Sequence, residues 1–519
     1  MKRIFILVIM AIIIFALSAC QLITPMTTFT SVATTSSQSA TTSFVSTTQQ
    51  ASTTTNGLVT TTGSLTSSTS YSTTSATTSI STTLTNLVVP IIPTGYSTLQ
   101  DEMEVVGIPA IGEQTVLVFA VDFSDYPQST SGISLAQIDL AFNGSSDDLA
   151  YESVNSYYWK SSYGKLNLSA DIYGFYRADY PSTYYADEYD KLYAWDYVND
   201  DYLYTEDEVT YPDSDLIYEL LLYYDDVIDY SHYDENHDGY IDGIYVIYTT
   251  PVTYEENEGS DLWWAYQDIY IWEGDVFDGV EPYFFVWSGS DFFFENDEPL
   301  NARTVIHETG HMLGLDDYYD YDPDGSYNSG GLGLADMMDN TAGDHNPFSK
   351  ILLDWVTPMV ATESMSIEIE PFMTSGDVIM VKKHWTYTIF TEYFLVSYYT
   401  PSDLNDDDPD SLFTIPGVVI YHVSARIDNG YDYDAAYYSI FNNNNSDTYN
   451  KLIKFIEADM GGEIDEYGYA ENSDLFMQGD VFNLNVYPNY LWYDLTALGF
   501  TIGVQSISPE SATIVITFS

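Results

Sequence analysis

The chain has one cysteine, Cys20, in 519 residues. That excludes intrachain disulfides, zinc–thiolate sites, a thiol nucleophile and any latency device built on a cysteine. Positive charge is nearly as scarce: 13 Lys and Arg stand against 78 Asp and Glu, a formal net charge of −65. No base occurs between Gln21 and Trp159, or after Lys454. Such a chain should avoid nucleic acid and anionic headgroups as partners. It also repels itself, so salt or divalent cations should stabilise it. Long apolar runs are missing everywhere except at the start.

That start, MKRIFILVIMAIIIFALSAC, carries the basic pair Lys2 and Arg3, an apolar stretch at 4–17, and then Leu17-Ser18-Ala19-Cys20. The run is short for a membrane span. A cysteine after small residues reads instead as a bacterial lipoprotein signal (1–20), cleaved before Cys20, which would take the lipid. Residues 21–90 are almost wholly Thr, Ser, Ala and small apolar residues. No apolar period there could build a core, so they read as a disordered stalk.

What is present in excess is acid and tyrosine. The 49 tyrosines read mainly as strand and core-edge residues. VLVFAVDF in 114–127 predicts a buried strand, and 153–179 a helix, a Tyr-Gly turn and strands. DLIYELLLYYDDVIDYS (215–231) has helical spacing, and GYIDGIYVIYTT (239–250) reads as a strand. After Trp355, YFLVSYYT, GVVIYHVSA and ATIVITFS suggest a second, mostly antiparallel β domain.

The strongest chemical signal is VIHETGHMLGLDDYYD, residues 305–320. On a helix, His307 and His311 lie one turn apart on one face and can aim two imidazoles at one point. Glu308, about 100° round the helix, can reach a water at that point. Gly314 can end the helix in a left-handed turn, after which Asp316 or Asp317 comes back as a third ligand. Two His, a carboxylate and one open position suit catalytic zinc. A surface helix with two solvated histidines would explain neither the glycine nor the carboxylates.

Asp234, Asn236, Asp238, Tyr240 and Asp242 place oxygens at positions 1, 3, 5, 7 and 9 of a calcium loop, with Gly239 at position 6. Tyr245 stands where an EF-hand has glutamate, and a strand follows, so this is a calcium loop outside an EF-hand. Asp320, Asp322 and Asp324, ahead of Gly325, repeat the opening without a later ligand. The acidic run at 405–410 reads as a solvated loop. His232, His237, His345, His384 and His422 lack ligand spacing and read as structural, with His345 a candidate for the border of the site. Spacing alone makes Met337 and Met338 core fillers.

These residues resemble the immune inhibitor A family of secreted bacterial metallopeptidases, in the metzincin group. The family pattern HE-x-GH-x-LGL-x-D-x-YD stands here as HETGHMLGLDDYYD. The resemblance extends through VLVFAVDFSD, YYWKSSYGKLNL, DENHDGYID, YFLVSYYTP, GVVIYHV and ENSDLFMQGDVFN, most of residues 110–490. It aligns Asp317 with the third zinc ligand and Met338 with the methionine of a turn beneath the metal. Asp316 stands where the family commonly has proline, and Asp354-Trp355 where it often has Gly-Trp.

The expected fold is therefore an α/β (α+β) metzincin-like catalytic domain (91–356), with a twisted mixed sheet and an active-site helix. A mostly antiparallel β-sandwich-like domain (357–519) follows. The expected function is a zinc endopeptidase with Glu308 as general base, with zinc and structural calcium as cofactors. It would be a monomer acting on proteins or peptides and lipid-anchored on the outer face of a bacterial membrane. Its rivals are a non-catalytic metal-stabilised surface binding protein such as an adhesin, which has no need of an intact Glu308, and an enzyme acting on peptidoglycan.

Overall fold

The computed structural model describes residues 88–519, apart from 197–200, 206–207, 253–259, 298–299, 322–330, 383, 406–412, 428–438, 447–449 and 489. Cys20, the stalk, Asp322, Asp324 and most of the 405–410 run thus lie outside the described residues. Among those described, no helix is long and apolar enough to cross a membrane.

The fold is mixed α/β. Its first sheet joins β1 (Gly112–Asp122), β2 (Leu166–Arg177), β3 (Ile244–Tyr248), β4 (Tyr266–Ile269) and β5 (Phe284–Gly289) in the order β2-β1-β3-β5-β4. The first four in that order run parallel, and β4 is an antiparallel edge. The unbroken apolar run of β1 reflects burial on both faces. Val116, Val118 and Ala120 join one buried cluster, and Leu117, Phe119 and Val121 another. On the first face lie α1 (Leu135–Asn143) and α2 (Val154–Ser161), followed in sequence by the Tyr163-Gly164 turn, both at positive φ. On the second lie α3 (Ser182–Leu192) and α4 (Pro212–Tyr224). The helix expected from Asp215 starts earlier because Pro212 occupies its first turn, where a missing N–H costs nothing. It stops at Tyr224, short of the expected end.

Beneath the first face runs α5 (Arg303–Met312), followed by the short α6 (Met337–Asn340) and α7 (Pro347–Leu352). The chain then builds β6 (Met359–Ala361), β7 (Met365–Ile369), β8 (Val378–Val381), β9 (Glu392–Tyr399), β10 (Gly417–Ser424), β11 (Ile453–Phe455), β12 (Val481–Phe482), β13 (Phe500–Ile507) and β14 (Ala512–Phe518). They form two sheets, β11-β10-β9-β8-β6 and β12-β13-β14-β7. All their pairings are antiparallel except β6 with β8. The two sheets share a core in which Val396 and Ile420 of one join Ile367, Ile502 and Ile514 of the other. Buried residues on both sides of the boundary expected at 356/357 pack together. Tyr393, Val419 and Tyr421 belong to the same buried cluster as Tyr158, Met337 and Trp355.

Asp354 takes φ 56, the left-handed region that glycine enters without strain.

Candidate metal centre

Helix α5 ends in two bonds that close a left-handed turn. The Gly314 N–H donates to the His311 carbonyl (2.8 Å) and the Leu315 N–H to the Gly310 carbonyl (3.0 Å), with Gly314 at φ 95. The segment before β1 completes the cap: Ile108 N–H reaches the Met312 carbonyl (3.0 Å) and Gln100 Nε2 the Leu313 carbonyl (3.2 Å). The carbonyls left over at the helix end are thus satisfied by protein. Directly after this turn the chain delivers Asp316 and Asp317.

It is the Asp317 carboxylate that meets the imidazoles. Its Oδ1 lies 3.0 Å from His307 Nε2 and 3.3 Å from His311 Nε2, and all three groups are largely buried. The opposite ring nitrogens are engaged: His307 Nδ1 with the Met337 carbonyl (2.7 Å) and His311 Nδ1 with the Leu315 carbonyl (2.8 Å). A carbonyl only accepts, so each Nδ1 carries the proton and a neutral ring presents a bare Nε2 lone pair. Two such lone pairs face the buried Asp317 Oδ1, which has no hydrogen-bond partner. Three electron-rich atoms at that separation need a proton or a cation between them. A metal-free chain supplies a proton. Burial opposes charge on His311, but the Asp317 carboxylate outweighs it and lifts the imidazole to about 10. Asp317 is in turn held far below the carboxylate range, the imidazoles overcoming its burial. The donor set, two nitrogens and one carboxylate oxygen with ring orientations fixed by carbonyls, fits zinc.

The remaining Asp317 oxygen accepts from the Tyr321 hydroxyl, a partner that nothing in a chain of 49 tyrosines singles out. Asp316 turns away and accepts from Ser439 Oγ (2.7 Å). Glu308 is buried beside the three. Burial pushes its carboxyl up, the two imidazoles pull it partly back, and the Gln267 backbone N–H bonds it from the edge strand β4. Met338 lies under the helix: a Cβ on Gly310 would stand 2.3 Å from the Met338 Sδ. Its segment is pinned by carboxylates. Asp336 accepts from Met338 N (2.8 Å) and Asn346 N (2.7 Å), and Asp339 from Leu334 N (2.6 Å).

In the 234–242 loop, Asp234 accepts from the backbone N–H of Asp238 (3.0 Å) and Gly239 (3.2 Å), and Asp242 from that of Glu235 (2.8 Å). Gly239 takes φ 95, as the sharp turn requires. Asp242 is 2 % exposed and its Oδ1 has no partner. Burial, together with Asp238 and Asp234, pushes its carboxyl up to about 8 despite the Glu235 N–H. An unpartnered buried oxygen among carboxylates suits calcium. The loop's carboxylates are nevertheless not drawn to the spacing of the 307–311–317 group, whose donor atoms lie within 4.8 Å of one another. Asp320 is half-buried. His345 packs against Tyr157 and Trp355 with neither ring nitrogen hydrogen-bonded, and burial lowers it well below the ordinary range. His422 bonds Glu392 (2.9 Å) and His237 the Asp234 carbonyl (2.8 Å). Neither meets the centre.

The chain matches no protein-family model and shows no significant match to a curated protein.

Proposed function

We propose that the chain is a zinc-dependent endopeptidase of the immune inhibitor A type, with a metzincin-like catalytic region, held at the outer face of a bacterial membrane by lipid on Cys20. The observation that carries the reading is the convergence of bare donors on His307, His311 and Asp317 beside an intact, buried Glu308. A zinc ion held by those three residues would supply Lewis acidity toward a scissile carbonyl and make water nucleophilic at neutral pH. Glu308 takes the proton of the attacking water and passes it to the departing amine nitrogen. Burial strengthens it as a base, and the Gln267 N–H keeps the carboxylate in place. Strand β4, at the edge of its sheet and next to α5, supports a protein substrate, because an edge strand can pair with an extended peptide. Calcium in the 234–242 loop would neutralise Asp234, Asp238 and Asp242 and stabilise the connection into β3.

The test is digestion of casein by the purified chain with zinc and calcium, with a chelator added, and with Glu308→Ala. Cleavage should disappear in both of the latter, while Glu308→Ala keeps one zinc per chain. A folded, zinc-loaded wild-type chain that cleaves no protein would favour the binding-protein reading, or the peptidoglycan enzyme if it releases wall fragments. A chain that takes up no zinc would overturn the assignment.

A further inference from the structure

A second cluster of oxygen donors lies far along the chain, between β11 and β12, and owes nothing to the zinc motif. Carboxylate oxygens of Glu457, Glu463 and Asp474 lie within 4.8 Å of one another, and Glu463 also belongs to a second such group with Asp459 and Glu471. We propose that this loop binds a calcium ion, with Glu457, Glu463 and Asp474 as its inner ligands and Asp459 and Glu471 at its rim.

Proximity of acids alone would not carry this, because exposed carboxylates crowd harmlessly in water. Burial decides it. Asp474 is 0 % exposed, and its Oδ1 has no hydrogen-bond partner. Glu463 Oε2 is likewise buried and unpartnered. Dry carboxylate oxygens without a donor, on residues grouped this closely, need a proton or a cation to offset their charge, and a divalent cation can serve several of them at once. Lys451 and Lys454 both reach the neighbouring Asp465, at 3.0 and 2.6 Å, and Lys454 offsets only part of the charge at Glu457, whose carboxyl burial still pushes up. The other oxygens are held in place by backbone. Glu471 N–H donates to Asp474 Oδ2 (2.7 Å) and Ile464 N–H to Glu457 Oε1 (3.3 Å). Gly461 gives Glu463 room, since a Cβ there would stand 1.7 Å from Glu463 Oε2.

The donor set names the ion. It is all oxygen, with no imidazole or thiolate, and rich in carboxylate, which suits calcium with its roughly six to eight oxygen ligands. Magnesium demands tighter octahedral geometry and sheds its waters reluctantly. The loop also touches the structure around the candidate metal centre. Ala470 N–H donates to the Gly333 carbonyl (2.8 Å), and Gly333 is too close to Ala470 and Ile464 to carry a side chain. A calcium ion closing the loop therefore braces the segment that leads into α6 and Met338.

Calcium binding to the full chain, counted by equilibrium dialysis after chelator treatment, tests this independently of any peptidase activity. Glu463→Gln should bind one calcium ion fewer than wild type and lose part of the calcium-induced rise in Tm. Asp459→Asn, at an exposed rim position, should keep the fold and weaken one class of sites about tenfold. If Glu463→Gln does not fold, Asp459→Asn decides alone. Unchanged calcium number and affinity in the folded variants would overturn the proposal.

Discussion

Asp316 and Asp317 are neighbours of identical chemistry that the tertiary structure uses for different ends. Asp317 meets two imidazoles and is held ionised, whereas Asp316 is enclosed by packing and bonded to Ser439, and burial pushes it up to about 7. Asp317→Ala should therefore abolish zinc binding, and Asp316→Asn should retain it, as metal analysis of the purified proteins would show. Tyr321→Phe removes the hydroxyl on the second Asp317 oxygen and should weaken zinc about 10- to 100-fold, the usual cost of losing an outer partner of a ligand. Zinc must also displace the proton that the metal-free His311–Asp317 pair holds. Because that proton is bound tightly, with His311 lifted to about 10, zinc affinity should rise with pH. The change should be roughly tenfold per pH unit for each proton released, measurable by competition with a chromophoric chelator.

At the level of elements, α5 and the α6 turn illustrate a conflict between propensity and packing. Alanine is a better helix former than glycine by about 1 kcal/mol, so Gly310→Ala would stabilise an isolated helix. Here the new Cβ would stand 2.3 Å from the Met338 Sδ, and overpacking of this kind costs about 1–3 kcal/mol. Gly310→Ala should thus be destabilising in denaturant titration, and Met338→Ala in the same chain should relieve the clash. Strand and helix positions were largely legible, because VLVFAV and the 3.6-residue spacing of α4 are local patterns. The dependence of α5 on the 88–111 segment was not. Capping of the Met312 and Leu313 carbonyls by Ile108 and Gln100 joins residues some two hundred positions apart.

For the whole molecule, the excess of acid is partly structural. Buried carboxylates serve as acceptors for backbone N–H groups, as Asp336 and Asp339 do around the α6 turn. Burial still dominates their titration: Asp336 is pushed up to about 7, and Asp213 and Asp339 to about 6, from 3.8. A carboxyl whose folded value is raised contributes stability at low pH and loses it as pH rises through that value. In chelator, Tm should therefore fall between about pH 4 and 7, with self-repulsion at net charge −65 adding to the fall. Calcium should offset the part of the fall that comes from self-repulsion. A Tm that climbs across this range without metal would contradict the account.

By itself the sequence placed the candidate metal ligands, since His307, Glu308, His311 and Gly314 sit within one helix and its cap, where spacing converts directly into geometry. It also determined the continuous burial of β1, from its unbroken apolar run, and the turn at Gly239, from its glycine. Which of two adjacent aspartates turns inward, which tyrosine holds it, and why Gly310 must stay small depend on contacts with residues far away in sequence, among them Ser439 and Met338. The carboxylate cluster at 457–474 belongs with these. Its acids are ordinary in so acidic a chain, and only folding makes Asp474 dry and sets it against Glu463.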